Sequence, residues 1–232
     1  NAFTPFETVL KGLTPGVHKL SVLVDNSFSE ASALHVENDY QSYGGISRGV
    51  MLEQLSKHYI KQLHFTPVCK DDTWYAQLEL VIASLDGKPW KGKVSVSLKG
   101  CDDVNENVLY TQSCSTGAGE LVLKSDLIAC ENAKPWAPEH PTLYMFSAQL
   151  EDEDGKVIDD LIDRVGFREV RTQGKDILLN GKKLQIKGFC RHEDHPQFGC
   201  ALPVSAIMQD LQLARDMGAN SIRTSHYPND EI

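Results

Sequence analysis

A mainly β fold, an antiparallel β-sandwich followed by one parallel strand–helix–strand unit, is predicted by three features of the 232-residue sequence. Short segments rich in alternating polar and apolar side chains recur through the first two-thirds of the chain, punctuated by Gly, Asp and Asn. The Asn180-Gly181 pair between two apolar segments marks a two-residue hairpin, because both residues tolerate positive φ. One amphipathic stretch with apolar residues at helical spacing then stands between two further short strands, which is the pattern of a crossover in a parallel sheet.

The elements follow in chain order. His18–Asp25 reads as a strand after the Pro15-Gly16 turn, and Trp74–Ala83 as a strand before the turn-rich Asp86-Gly87-Lys88-Pro89. Lys93–Leu98, Val108–Gln112, Glu120–Leu123, Leu143–Leu150 and Val157–Phe167 continue the series, and several short strands at this spacing predict a sandwich. The acidic Glu151-Asp152-Glu153-Asp154-Gly155 is a solvated hairpin turn, with no calcium-loop spacing after it. Beyond Arg168, Ile177–Leu179 and Leu184–Ile186 flank the Asn-Gly turn, and Leu184–Phe189 runs as a strand into Arg191-His192-Glu193-Asp194-His195-Pro196. Val204–Met217 places Ile207, Met208, Leu211, Ala214 and Met217 on one helical face, with Gly218 as its stop. Asn220–Thr224 is the last strand and ends in Ser225-His226-Tyr227-Pro228.

Composition narrows the function classes. Lys+Arg 23 against Asp+Glu 32 gives a formal charge of 23 − 32 = −9, and no segment concentrates the basic residues that phosphate contacts need, so nucleic acid is excluded as a partner. The longest apolar runs, Leu20–Val24 and Leu78–Ser84, fall far short of the roughly 18 residues of a spanning helix, so no membrane partner is expected. Six cysteines without a Cys-x-x-Cys pair point to reduced thiols and a cytoplasmic protein, although spacing leaves a bridge open. The chain starts at Asn1 without a Met or a leader, and is expected to be part of something longer.

Ligands of parallel α/β units sit at the carboxyl ends of the strands. Both predicted strands deliver polar groups there, Arg191-His192-Glu193-Asp194-His195 from one and Arg223-Thr224-Ser225-His226-Tyr227 from the other. Imidazoles at such a place can hydrogen-bond a hydroxyl-rich substrate, with neighbouring Arg and Asp fixing their orientation. Metal ligation by His192, His195 and His226 is an open alternative, although His-Glu-Asp-His lacks the His-Glu-x-x-His spacing that puts two imidazoles on one helix face. Loop capping by any one of these histidines is another. A Ser225–His226 nucleophile pair is disfavoured, because neighbours on a strand point to opposite sides and no Gly-x-Ser-x-Gly elbow is present.

Gly188-Phe189-Cys190-Arg191-His192-Glu193-Asp194-His195-Pro196 and Gly218-Ala219-Asn220-Ser221-Ile222-Arg223-Thr224-Ser225-His226-Tyr227-Pro228 resemble the two signature segments of glycoside hydrolase family 2. Asp39, followed by Tyr43-Gly44-Gly45-Ile46, resembles the Asp-x-x-x-Tyr-Gly-Gly-Ile loop at the end of that family's glucuronidase jelly roll. Asn132-Ala133-Lys134-Pro135-Trp136 with Leu143-Tyr144 is similar to the late-sandwich segment before the barrel. The resemblance covers nearly the whole chain and implies the end of a jelly-roll sugar-binding domain over 1–56, an immunoglobulin-like β-sandwich over 57–168, and the start of a (β/α)8 TIM barrel over 169–232.

The same resemblance implies a retaining hydrolase of terminal β-D-glucuronides, most like a bacterial β-glucuronidase, acting in carbohydrate metabolism as a homo-oligomer; no cofactor is expected, and no residue of this chain is assigned to a metal. The alternatives are a β-galactosidase of the same family, suggested by His195-Pro196 after the acidic pair, or a non-catalytic carbohydrate-binding module for this chain alone. Asp39, His192 and His226 match sugar-binding positions. Arg191, Arg223 and Asp194 match supporting ones, the arginines orienting carboxylates or backbone. The family's two catalytic glutamates stand on later barrel strands, and neither Glu193 nor Glu231 matches their motifs, so the chain alone is expected to be inactive.

Overall fold

The computed structural model describes residues 5–27, 29–30, 40–41, 43–101, 106–117 and 119–230. The described residues fall into two compact units, one within Glu53–Gln185 and the other within Asn1–Leu52 together with Ile186–Ile232.

The unit Glu53–Gln185 is a sandwich of two antiparallel sheets. One sheet runs β1 (His58–Lys70), β2 (Thr73–Ser84) and β5 (Leu121–Lys124), with the short β6 (Ile128–Ala129) also on β2. The other has the order β4 (Asn107–Thr116), β3 (Trp90–Gly100), β7 (Tyr144–Asp152) and β8 (Val157–Val165). Period-two burial explains the pairing of faces: Trp74, Ala76, Leu78, Leu80 and Ile82 of β2 point inward, as do Val94, Val96 and Leu98 of β3 and Phe146, Ala148 and Leu150 of β7. Phe167, just beyond β8, is wholly buried among three aromatic rings: Phe65 at 5.2 Å, Tyr144 at 5.3 Å and Trp74 at 5.8 Å between centroids.

Two differences from the sequence reading stand out. β1 is the longest strand among the described residues, yet its alternation is broken by a register shift between Ile60 and Gln62 and by Pro67. His18–Asp25 forms no strand: no described strand lies beside it to accept its backbone hydrogen bonds, and Leu20 and Leu23 are exposed.

The Asn-Gly turn forms as expected, but its second strand is β11 (Lys182–Lys183) and not Leu184–Ile186; β10 (Asp176–Leu179) is antiparallel to β11 and, on its other edge, to β9 (Val170–Gln173). Asn180 and Gly181 take φ of 49° and 74°, the double positive φ of a tight hairpin. The Asn180 side chain accepts from the Glu169 amide and donates to the Trp136 carbonyl, both at 2.9 Å, so the hairpin is tied within Glu53–Gln185.

In the other unit, β12 (Gly188–Arg191) pairs in parallel with β13 (Ser221–Thr224), and α1 (Val204–Asp216) is the crossover between them. β12 begins later than the predicted Leu184–Phe189, because Leu184 is still held to Ile177 of the hairpin by a 2.8 Å backbone bond. Gly188 is required by the close approach of the strands, since a Cβ there would lie 2.0 Å from the Ser221 carbonyl oxygen. Gly218, at φ 80°, ends the helix by donating to the Arg215 carbonyl at 2.9 Å. The chain is mainly β, with one helix among the described residues, and none is long and apolar enough to cross a membrane.

Candidate carbohydrate-binding site

Parallel pairing in the register Gly188–Ser221 to Arg191–Thr224 brings the two polar segments out side by side at the strands' carboxyl ends. His192 and His226, one residue and two residues past their strands, face each other edge to face with ring centroids 5.6 Å apart. Two tyrosines complete the cluster. The Tyr40 ring lies 5.6 Å from His192 and 5.3 Å from Tyr227, and Tyr227 lies 5.9 Å from His192. His226 is exposed while His192 and Tyr227 are half-buried, so the cluster offers one solvent-facing imidazole beside one that is held by aromatic contacts. Nδ1 of His192 is buried without a hydrogen-bond partner among the described residues.

Around this cluster the charged residues mostly bind one another. Arg191 is buried and grips Oδ2 of Asp210 on α1 through Nε at 3.1 Å and Nη2 at 2.9 Å. Asp194 accepts the Tyr43 hydroxyl at 2.8 Å, which joins the 43–48 segment to the end of β12. That bond to a carboxylate, helped by desolvation, raises the Tyr43 pKa, so the phenol remains a donor through neutral pH. Burial, and the nearby Glu193 and Asp194 carboxylates, likewise push the Tyr227 phenol up, against a lowering from the Glu193 backbone bond.

Arg223 does something the sequence did not indicate. As the cross-strand partner of Cys190 it donates to that residue's Sγ at 3.4 Å, and with Ser225 it lowers the thiol's pKa. His195 bonds locally: its Nδ1 accepts the Gln197 amide at 3.1 Å and its ring stacks on Phe198 at 4.8 Å, which is a turn-capping role. No group of three or more His, Cys, Asp or Glu side chains arranged to hold a metal occurs among the described residues. Asp39, Asn38 and Glu231 lie outside the described residues.

The Ser225–His226 pair corrects one expectation. Ser225 Oγ lies 3.2 Å from Nδ1 and 3.1 Å from Nε2 of His226, so the two side chains do meet; strand alternation stops at Thr224, the end of β13. An oxygen equidistant from both ring nitrogens is aligned with neither lone pair, and Ser225 is 1% exposed, which denies it the reach of a nucleophile.

Tyr40, Tyr43 and Tyr227 were legible as neighbours of the singled-out motifs but carried no spacing signal of their own. Arg48 and Asp210 had none, because their partners are set by folding across long stretches of chain.

The family model described as glycosyl hydrolases family 2 matches residues 58–168, and the one described as glycosyl hydrolases family 2, TIM barrel domain, matches 170–232. The chain is 54% identical to a β-galacturonidase from Eisenbergiella tayi whose crystal structure holds galacturonate, with a TM-score of 0.82 over 90% of this chain and 36% of that one. It is 31% identical over 223 residues to a protein of Formosa agariphila that carries the name β-glucuronidase, covering 93% of this chain and 25% of that protein. A β-galactosidase of Kluyveromyces lactis is 42% identical over 94 residues, 40% of this chain and 9% of the relative. The chain therefore spans between about a quarter and about a third of the length of the first two relatives.

Proposed function

The chain belongs to glycosyl hydrolases family 2, and from that premise we propose that the protein containing it hydrolyses terminal β-D-uronides, glucuronides above all, with retention of configuration. The observation that carries this reading is the pair of imidazoles, His192 and His226, held face to edge at the carboxyl ends of two parallel strands and rimmed by Tyr40 and Tyr227. Two imidazoles with ring centroids 5.6 Å apart and crossed edge to face can each reach a different hydroxyl of one sugar ring, whereas the ligands of a metal must converge on one point. In this reading His226 binds the glycone from the open side, His192 forms the floor of the pocket, and Asp39 adds a carboxylate acceptor from the preceding jelly-roll segment.

Retention requires two carboxylates about 5–5.5 Å apart, one an acid/base and the other a nucleophile. Glu193 is engaged on both oxygens by arginine and backbone donors, so the proposal takes both catalytic glutamates from parts of the protein outside these 232 residues. This chain then supplies recognition of the sugar, and turnover needs the rest. Homo-oligomeric assembly and a cytoplasmic location remain part of the same reading, the second resting on the reduced thiols.

A second reading is favoured by the 54% identity to the galacturonidase: the preferred sugar is galacturonate, which differs from glucuronate in the orientation of the C4 hydroxyl. Initial rates of the full-length protein on aryl β-glucuronide, β-galacturonide and β-galactoside decide between them. Uronide cleavage is expected, with the galactoside much slower; cleavage of the galactoside alone would refute the uronide assignment. The 232-residue chain by itself is expected to turn over none of the three.

A further inference from the structure

We propose that Glu193 is a positioning residue: its buried carboxylate, locked by Arg48, fixes the spacing of His192 and His226 and so the fit of the sugar. The inference rests on the reading of those histidines as sugar ligands.

Glu193 is 5% exposed, and its two oxygens reach three separate segments. Oε2 takes Arg48 Nη2 at 3.2 Å, Oε1 accepts the Asp230 amide at 2.9 Å, and Arg191 Nη1 stands 3.7 Å from Oε1. Its own amide donates to the Tyr227 hydroxyl at 2.9 Å. Arg48 Nη2 also donates to the Pro228 carbonyl, so the guanidinium closes a ring between the 43–48 segment, the end of β12 and the loop after β13. His192 directly precedes Glu193, and His226 directly precedes Tyr227. The residue thus ties the chain directly after His192 to Tyr227 and Asp230, one and four residues past His226.

A buried carboxylate between two guanidiniums is retained at a desolvation cost that a mere space-filler would not carry, and removing either partner strands the other charge. Glu193→Gln keeps the volume but turns an amide N–H donor toward either Arg48 or the Asp230 amide, so one of the three segments is released. A displacement of about 1 Å at a binding group lowers rate by about a hundredfold, the loss expected for Glu193→Gln.

The experiment is a double-mutant cycle in the full-length protein, on whichever aryl glycoside the unaltered protein cleaves fastest, with melting temperatures recorded alongside. Glu193→Gln should lower kcat/KM about a hundredfold in the parent but only a few-fold in the His226→Ala background, because the residue acts through the histidine pair. Both limbs of the pH–rate profile should persist. Arg48→Lys should recover most of the activity that Arg48→Met loses, and the two variants complete the test if Glu193→Gln does not fold. Full additivity with His226→Ala, rates within twofold of the parent, or loss of one pH limb would each overturn the proposal, the last by making Glu193 the acid/base. Galactoside preference in the unaltered protein would instead refute the uronide reading and leave the cycle readable.

Discussion

Replacing His226 by alanine in the full-length protein is expected to lower kcat/KM on its best aryl uronide by about a hundredfold, the usual loss when one well-placed donor to a reacting substrate is removed. The melting temperature should barely change. His226 is exposed, its edge-to-face contact with His192 is a weak one, and truncating an exposed side chain outside a core or ion-pair network shifts stability by about 0.5 kcal/mol or less. The separate response of kcat and KM also carries information. A rise in KM alone means the imidazole binds ground state and transition state equally; a fall in kcat means the hydrogen bond strengthens as the ring distorts. Near-normal kinetics with a large loss of stability would assign His226 a structural role instead.

The largest expected stability effect lies in the sandwich. Phe167→Ala should destabilise the unit Glu53–Gln185 by about 3–5 kcal/mol, since Phe167 is wholly buried and a cavity would open beneath Phe65, Trp74 and Tyr144. Its backbone has a second task, because its carbonyl accepts the Trp136 amide at 2.8 Å, and the alanine variant keeps that bond. The loss is therefore one of packing. Urea unfolding of the 232-residue chain followed by tryptophan fluorescence measures it cleanly, as all three tryptophans, Trp74, Trp90 and Trp136, lie within Glu53–Gln185. A shift below 1 kcal/mol would mean that the aromatic cluster closes over the gap.

Local patterns carried most of the fold. Strong alternation located β2, β3 and β7, whose inward positions are uniformly apolar, and the Asn180-Gly181 pair located its turn to the residue. β1 escaped because a bulge shifts its phase and Pro67 suppresses its strand signal. His18–Asp25 erred in the other direction: alternation describes what a strand would bury, but hydrogen-bonding partners decide whether a strand forms. The site divides in the same way. His192, His226, Arg191 and Asp194 were legible because each follows or ends a strand in a recognisable segment. Tyr43 with Asp194, and Arg48 with Glu193, are separated by 151 and 145 residues, and no sequence period reaches that far. Nor did the sequence indicate that Arg223 would spend its guanidinium on Cys190, a consequence of parallel register alone.

That the paired imidazoles hold the sugar is the claim on which the function rests. It is tested most directly by a crystal structure of the full-length protein with glucuronate or galacturonate bound. A ring nitrogen of His226 should lie within about 2.7–3.2 Å of a sugar hydroxyl, with His192 beneath the same ring and Glu193 still bound to Arg48. A sugar seated elsewhere, with both imidazoles beyond hydrogen-bonding reach, would contradict it.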